Sequence, residues 1–276
     1  MLLDGKKVRD EILENIRLRI REENIQARLA IILVGDNEAS KIYIKNKEAA
    51  CKKVGIAVDK YVLDQNTSQD EVLQLIEKLN HDTTVTGIIL QSPTPKHIDF
   101  ALCSGTILAK KDVDGFTQEN IYNLYLNRKT LMPCTVKGII TLLQYYKIPI
   151  AGKRVVIVGR GNIVGHPLSL ALTNLDATVT LAHSKTEDLK CLCRDADILI
   201  AAAGVPYLIT KDMVHDGAVV VDVGVNRCDG NMIGDVDYEH VAEFSSYITP
   251  NPGGVGPMSL AMIMQNVIEA YERRNE

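Results

Sequence analysis

One short segment combines an aromatic ring and an amine at a spacing that suits proton transfer beside a flat ligand. Tyr43 and Lys47 are four residues apart, so they lie on one face of the helix expected here. The ring could stack on a flat substrate while the amine moves protons, provided that burial or a nearby cation favours the neutral amine. The alternative is a solvated helix face. Its members would be Lys41, Lys45, Lys47, Lys52 and Lys53.

Three further segments bring polar or backbone groups to places where a ligand could bind. A strand is expected to end at Gln91, whose neutral amide would lie at the carboxyl end of a sheet. Residues 111–115 (Lys-Asp-Val-Asp-Gly) supply carboxylates in a Gly-bounded loop, where one could hold a ring that carries N–H donors. Residues 249–258 predict a rigid loop with few side chains. Each could instead be turn chemistry, and Asp112 could be a capping residue as well as a ligand.

A glycine-rich turn in the second half of the chain is typical of dinucleotide binding. Gly159, Gly161 and Gly165 follow the apolar run 154–157 and precede a helix expected over 167–174. Such glycines let the backbone turn tightly and approach a pyrophosphate, whose charge the helix N-terminus would stabilise. The alternative is an ordinary strand-to-helix turn in which the glycines serve packing alone.

The end of the following strand indicates which dinucleotide would bind. An acid about 20 residues beyond the glycines marks NAD, because it bonds the ribose hydroxyls. Here the strand over 178–181 is followed by the polar run 183–186 (His-Ser-Lys-Thr), without an acid. Hydroxyls and a cation there, with Arg160 in the glycine turn, suit the extra phosphate of NADP. The sequence predicts NADP, with NAD left open; a solvated polar turn is the non-binding explanation.

Helical and strand patterns alternate along the chain, which predicts βαβ units and an α/β fold. We expect two domains, each with a mainly parallel sheet, the second a Rossmann-like dinucleotide-binding domain. A ligand is expected in the cleft between them. Helices are expected over 6–21, 39–54, 68–79, 135–146 and 259–273, and strands over 28–34, 56–63, 87–91, 154–158, 178–181, 198–202 and 219–223.

Composition and charge exclude several classes of function. The chain has 276 residues, of which 46% are hydrophobic and 24% charged, enough for one large or two ordinary globular domains. A net charge of −4 gives no basic field for nucleic acid or an anionic membrane. No apolar run approaches the roughly 18 residues of a spanning helix, and the charged N-terminus argues against a secretory signal. We therefore expect a cytoplasmic protein.

The cysteines and histidines show no spacing typical of a metal site. No C-x-x-C pair occurs, which argues against zinc and a disulfide framework and favours reduced thiols with structural roles. We therefore expect no metal. The cysteines are Cys51, Cys103, Cys134, Cys191, Cys193 and Cys228.

Taken in order, these motifs resemble the bifunctional methylenetetrahydrofolate dehydrogenase/methenyltetrahydrofolate cyclohydrolase family. The resemblance runs from about residue 2 to about residue 270. Four motifs in the family's order argue against an accidental match. They are the Tyr43-x-x-x-Lys47 helix, residues 111–115, the Gly-Arg-x-Asn-Ile-Val-Gly run at 159–165 and the Pro-Gly-Gly-Val-Gly-Pro-Met run at 252–258.

The resemblance implies two reactions on one folate. A hydride passes from 5,10-methylenetetrahydrofolate to NADP, and water then opens the methenyl cation to 10-formyltetrahydrofolate. It also implies a folate-binding catalytic domain over 1–137, completed by 258–276, an NADP-binding domain over 138–257, and a homodimer. Two other functions stay open: a dehydrogenase without hydrolysis, and a non-catalytic folate- or nucleotide-binding protein.

The resemblance also assigns roles to individual residues. The lysine and glutamine of the hydrolytic site fall on Lys47 and Gln91, the tyrosine that packs on the folate falls on Tyr43, and the pterin-binding aspartate falls on Asp114. Their retention together argues against a dehydrogenase without hydrolysis, and the intact Lys47 argues against a non-catalytic binding protein. Further substrate contacts are expected at Pro252, Gly253 and Gly256. Cofactor contacts are expected at Gly159, Arg160, Gly161, Gly165, Ser184 and the backbone at Val225.

The chain departs from the family pattern at several positions. Gly161 stands where the family has serine, which removes a hydroxyl near the phosphates. Ser92 and Thr94 make the segment beside the folate more polar, and Val136 and Asn251 replace a proline and a valine. None of these changes deletes a residue assigned to chemistry, so they bear on cofactor preference and turnover rather than on the reaction.

Overall fold

The computed structural model describes residues 1–228 and 231–274, which form two compact units. The Lys47 unit comprises Asp10–Cys134 and Leu260–Glu276, and the Gly159 unit comprises Met1–Arg9 and Thr135–Ser259. Each unit has its own parallel sheet.

The helices and strands alternate along most of the chain. The helices are α1 (Gly5–Glu22), α2 (Glu38–Val54), α3 (Gln69–His81), α4 (Phe100–Gly105), α5 (Gln118–Tyr125), α6 (Cys134–Tyr145), α7 (Gly165–Thr173), α8 (Leu189–Arg194), α9 (Tyr238–Val241) and α10 (Val255–Arg273). The strands are β1 (Arg28–Val34), β2 (Ala57–Leu63), β3 (Gly87–Leu90), β4 (Arg154–Val158), β5 (Thr178–Ala182), β6 (Ile198–Ala201), β7 (Val219–Asp222), β8 (Asn226–Cys228), β9 (Asn231–Ile233) and β10 (Tyr247–Ile248).

The sheet of the Lys47 unit has the order β2-β1-β3, with both pairs parallel. Its central strand β1 is an unbroken apolar run that is buried from Leu29 to Val34, as expected of a parallel strand covered on both faces. Helix α2 follows it. Asn37 caps the helix by accepting from the Ser40 backbone N–H at 3.0 Å, and Gly55 ends it in the left-handed conformation.

The sheet of the Gly159 unit has the order β10-β7-β6-β4-β5, again all parallel. Strand β4 pairs with β5 on one side and with β6 on the other, so the winding direction reverses between β4 and β6. The same reversal occurs between β1 and β3 in the other sheet. In open α/β sheets, ligands bind outside the carboxyl ends of the strands at such a reversal.

The predicted fold class is confirmed, because the two larger sheets are parallel and helices alternate with most of their strands. Strands β8 and β9 form a separate antiparallel pair. The expected elements agree with the structure within two residues, except for α10, which begins at Val255 rather than at 259. The expected loop over 249–258 is therefore wrong in its second half, and Gly256 lies in the first helical turn. Pro257 is compatible with that turn, where its missing N–H would have no intrahelical partner.

Candidate active site

Lys47 differs from the other lysines of α2. It is half-buried, and its Nζ donates a hydrogen bond of 2.9 Å to Oε1 of Gln91. The solvated-face alternative describes the rest of the set but not Lys47. The remaining lysines of that set are exposed: Lys41, Lys45, Lys52 and Lys53.

Gln91 is fixed by its own contacts. It follows β3, is 8% exposed, and its Nε2 donates to the Ser92 carbonyl at 2.7 Å. Its backbone N–H donates to the Ile32 carbonyl of β1 at 2.8 Å. Because Nε2 is engaged, Oε1 is the atom that faces Lys47. The pair therefore lies at the carboxyl end of the sheet, at the reversal of winding between β1 and β3.

Tyr43 and Asp114 belong to separate elements of the same unit. Tyr43 is one helical turn before Lys47 and is 53% exposed, so its ring is available for stacking. Asp114 is half-buried in the loop over 111–117, which runs beside β3 through a bridge between Ile88 and Asp112. The structure thus brings Lys47 and Gln91 into contact and presents Tyr43 and Asp114 as accessible groups.

Asp112 is a structural residue of this loop. Its buried carboxylate accepts from the backbone N–H groups of Gly115 at 2.9 Å and Thr117 at 2.7 Å. Asn120 donates to it through Nδ2 at 3.0 Å. Burial raises the pKa of the Asp112 carboxyl, and these donors act in the opposite direction. Of the two possibilities that the sequence left open, these contacts favour a structural role for Asp112, which stabilises the loop rather than capping a helix.

Asn266 supports the same loop from helix α10 and was missed by sequence reasoning. It is fully buried, and its Nδ2 donates at 2.9 Å to the Val113 carbonyl and at 2.9 Å to the Met132 carbonyl. The signal in the sequence was a polar amide within an otherwise apolar helical face. Its bonds fix the backbone next to Asp114.

The glycine turn after β4 combines enforced packing with open space. A Cβ on Gly159 would lie 2.1 Å from the Ala202 carbonyl oxygen, and one on Gly165 would lie 2.0 Å from the Gly159 carbonyl oxygen. A Cβ on Gly161 would meet no atom within 4 Å. Packing therefore explains two of these glycines and leaves room at the third. Among the residues that the structure describes, no side chain caps the N-terminus of α7, which suits a pyrophosphate.

Arg160 and Ser184 follow neighbouring strands. Val158 of β4 pairs with Ala182 of β5, and the Gly159 N–H donates to the Ala182 carbonyl at 2.9 Å. Both side chains are exposed at the same edge of the sheet. A cation and a hydroxyl there fit a phosphate group.

The remaining expected contacts also belong to the Gly159 unit. Val225 follows β7 and is 59% exposed. Pro252 and Gly256 are exposed, whereas Gly253 is buried and its carbonyl accepts from the Lys6 N–H at 3.2 Å. This loop is therefore anchored on the beginning of the chain within the same unit.

Neither a metal cluster nor a spanning helix is found in the part of the chain that the structure describes. No group of three or more His, Cys, Asp or Glu side chains there could hold a metal ion. Within the same ranges, 1–228 and 231–274, no helix is long and apolar enough to cross a membrane. All six cysteines are free thiols, four of them buried.

Comparison with known proteins identifies the family. Residues 3–114 match the model for the catalytic domain of tetrahydrofolate dehydrogenase/cyclohydrolase, and residues 133–275 match the model for its NAD(P)-binding domain. The chain belongs to this family. A Vesicomyosocius okutanii relative, bifunctional protein FolD, is 46% identical over 274 residues, which is 99% of each chain.

Solved structures of the tetrahydrofolate dehydrogenase/cyclohydrolase family share the fold. The bifunctional FolD enzyme of Campylobacter jejuni has a TM-score of 0.97 at 46% identity, covering 99% of each chain. The Trypanosoma brucei enzyme, solved with NADP and an inhibitor, has a TM-score of 0.92 at 32% identity, covering 99% of this chain and 97% of its own. The predicted family and the predicted nicotinamide dinucleotide domain are confirmed.

Proposed function

We propose that the chain oxidises 5,10-methylenetetrahydrofolate to 5,10-methenyltetrahydrofolate with NADP and then hydrolyses the product to 10-formyltetrahydrofolate. Membership of the family supports both steps. The observation that carries the proposal is the 2.9 Å hydrogen bond between Lys47 Nζ and Gln91 Oε1 at the carboxyl end of the sheet. It joins an amine that can accept a proton to a neutral amide, a pair that suits the hydrolysis of a cationic substrate.

Lys47 is the proton acceptor in the hydrolytic step. The methenyl cation repels an ammonium group, so its presence favours the neutral amine. The amine takes a proton from the attacking water as the water oxygen bonds to the methenyl carbon. The new hydroxyl group then loses its proton to solvent as its oxygen forms the formyl carbonyl. The bond from that carbon to N5 of the folate breaks at the same time, and N5 takes the proton that Lys47 accepted. A metal is not required for this chemistry, because the substrate is already an electrophile.

Gln91, Tyr43 and Asp114 orient the reactants. The Gln91 amide holds Lys47 and can bond to the developing alkoxide without adding charge. The exposed ring of Tyr43 stacks on the folate, and the Asp114 carboxylate accepts from the donor edge of the pterin. The loop containing Pro252 and Gly253, with Gly256, gives the folate further backbone contacts.

The glycine turn and its neighbours bind the cofactor. Bound NADP supplies the hydride acceptor, the oxidised nicotinamide ring. The Gly159–Gly165 turn and the uncapped start of α7 receive the pyrophosphate, since the open space at Gly161 lets the backbone approach it. Arg160 and Ser184 bind the phosphate that distinguishes NADP from NAD. The backbone at Val225 contacts the nicotinamide end.

The two proposed functions, folate binding and NADP binding, belong to different domains. We assign folate binding to residues 1–137 with 258–276, and NADP binding to residues 138–257. The compact units divide at Cys134/Thr135 and Ser259/Leu260, close to these limits, although Met1–Arg9 packs with the other unit. We also propose a homodimer through the cofactor domain, which family membership suggests. The proposed location is cytoplasmic. The edge position of β5 leaves a strand available for pairing with a second copy.

An absorbance assay of the purified chain tests the function. With 5,10-methylenetetrahydrofolate and NADP, we expect reduced cofactor to form and added methenyltetrahydrofolate to disappear faster than in buffer; NAD is run in parallel. Reduced cofactor with methenyl decay at the buffer rate would favour a dehydrogenase without hydrolysis. No reduced cofactor with either dinucleotide, together with methenyl decay at the buffer rate, would favour a non-catalytic binding protein.

A further inference from the structure

A buried carboxylate ties two loops of the Gly159 unit together. Asp235 is fully buried, and its Oδ2 accepts from the backbone N–H groups of Ala203 at 2.6 Å and Gly204 at 2.8 Å. Its Oδ1 accepts from Asn226 Nδ2 at 2.9 Å. Ala203 and Gly204 follow β6, and Asn226 follows the turn after β7. One side chain therefore bridges the carboxyl ends of two neighbouring strands.

A second buried carboxylate holds this bridge in place. Asp222 is 4% exposed, and its Oδ1 accepts from the backbone N–H groups of Gly224 at 2.9 Å and Asp235 at 3.0 Å. Space is so restricted that a Cβ on Gly224 would lie 2.1 Å from Asp235 Oδ1. A Cβ on Gly234 would lie 1.6 Å from Asp222 Oδ2. Burying two carboxylates costs free energy unless each of them is hydrogen-bonded. The stability of this pair therefore depends on keeping the hydrogen-bond donors around both carboxylates in place.

Asn251 binds the backbone of the same segment at the Gly224 carbonyl. Its Nδ2 donates to the Gly224 carbonyl at 2.6 Å. Thus the N–H of Gly224 is bonded to Asp222 and its carbonyl to Asn251, directly before the exposed Val225. Asn251 is also where the chain departs from the valine of the family pattern, so a valine there would not supply this bond.

We propose that Asp235 and Asn251 are positioning residues that hold Gly224–Val225 in one conformation ready for the nicotinamide end of the cofactor. The proposal rests on the proposed function, which assigns the backbone at Val225 to the cofactor. Asp235 acts through its hydrogen bonds to Asn226 and to the backbone of the Ala203–Gly204 loop. Asn251 acts through its hydrogen bond to the Gly224 carbonyl. Fixing the segment before binding removes the cost of ordering it when the cofactor arrives.

Binding of NADP to matched variants tests this inference. Asp235→Asn keeps the shape but places an amide NH₂ against either the backbone donors or Asn226. We expect its dissociation constant for NADP to rise about tenfold. The control is Asp197→Asn, because Asp197 also accepts a backbone N–H, from Arg154 at 2.8 Å, but at the amino ends of β4 and β6. This control should bind NADP within about twofold of wild type even where it lowers the melting temperature.

Two further variants keep the test decisive if Asp235→Asn folds poorly. The double variant that combines Asp235→Asn with Asn226→Asp reverses the donor and the acceptor of the hydrogen bond between these two side chains. We therefore expect most of the affinity for NADP to return. Asn251→Val introduces the family's own residue and should weaken NADP about threefold without loss of folding. Wild-type affinity in both Asp235→Asn and Asn251→Val, or equal weakening in Asp235→Asn and Asp197→Asn, would overturn the proposal.

Hydrogen exchange of the free enzyme separates this inference from the function on which it rests. We expect Asp235→Ala, which removes both acceptor oxygens, to lose protection at the Ala203 and Gly204 amides, whereas Asp197→Ala keeps it. Retained protection in Asp235→Ala would overturn the positioning role even if NADP binds. If wild type shows no NADP binding, the proposed cofactor fails, while loss of protection would still support the bridge between the loops.

Discussion

The Lys47–Gln91 region and the Gly159–Gly165 turn both lie where a parallel sheet reverses its winding, but they are built in opposite ways. At the first, two side chains contact each other, and the proposed function assigns the hydrolysis to them. At the second, the available surface is backbone, and its shape depends on glycines, which carry no Cβ. The first region should therefore fail when a functional group is removed, and the second when a Cβ is added.

The largest effect is expected from Lys47→Met, which removes the proposed proton acceptor from the side-chain region. Hydrolysis of supplied methenyltetrahydrofolate should fall at least about 100-fold, the scale of a lost general base. The dissociation constant for NADP should not change. Lys45→Met is the matched control, because Lys45 lies on the same helix and is exposed. Stopped-flow absorbance gives both hydrolysis rates; equal rates in the two variants would remove Lys47 from the mechanism.

Gly159→Ala tests the backbone region. The residue has φ +121° and its new Cβ would lie 2.1 Å from the Ala202 carbonyl oxygen. We expect a loss of about 1–3 kcal/mol in the free energy of unfolding by urea, together with loss of NADP binding. Gly161→Ala is the control, since a Cβ there meets nothing within 4 Å, and its stability should stay within about 0.5 kcal/mol of wild type. Equal losses in both variants would contradict the packing argument.

Arg160→Gln tests whether any side chain of the backbone region selects the cofactor. Removing the guanidinium should weaken NADP about tenfold and leave NAD unchanged, because only NADP carries the extra phosphate. Arg194→Gln is the control, an exposed arginine in α8 of the same unit. Calorimetric titration with each dinucleotide measures the ratio; a parallel loss for NADP and NAD would show that Arg160 does not read the phosphate.

Thiol labelling of the native chain gives the smallest effect. Cys191 and Cys228 are exposed and should react with a disulfide reagent, whereas the four buried thiols should react only after unfolding. Burial raises the pKa of the Cys51 and Cys193 thiols to about 12, which suppresses their reactive thiolate form. Mass spectrometry of the labelled peptides counts the sites. Rapid labelling of Cys51 in the native chain would show that the core beside α2 opens.

Local patterns were sufficient to predict most of the fold. The period and length of apolar runs predicted the parallel strands. The helix expected from residue 68 is present, and it begins with a capping box in which the Ser68 and Glu71 groups bond reciprocally. The start of α10 could not be predicted, because glycine and proline favour a loop in sequence while packing decides otherwise. Very short helices such as α8 are too brief for a period to emerge.

The site was predictable in its parts but not in its contacts. Lys47 and Gln91 are 44 positions apart, so their hydrogen bond depends on how the sheet orders β1 and β3. The roles of Asp112 and Asp235 depend likewise on backbone amides brought together by the fold. Whether a carboxylate serves a turn or a ligand is decided by its neighbours, and one sequence does not contain that information.

Following both reactions of Lys47→Met shows whether the side-chain region alone carries the hydrolysis. The variant is mixed with 5,10-methylenetetrahydrofolate and NADP, and the absorbance of reduced cofactor and of methenyltetrahydrofolate is followed together. We expect the two signals to rise in equal amounts, because oxidation continues and its product is no longer hydrolysed by the enzyme. Reduced cofactor without accumulated methenyltetrahydrofolate would contradict it, since another group would then be performing the hydrolysis.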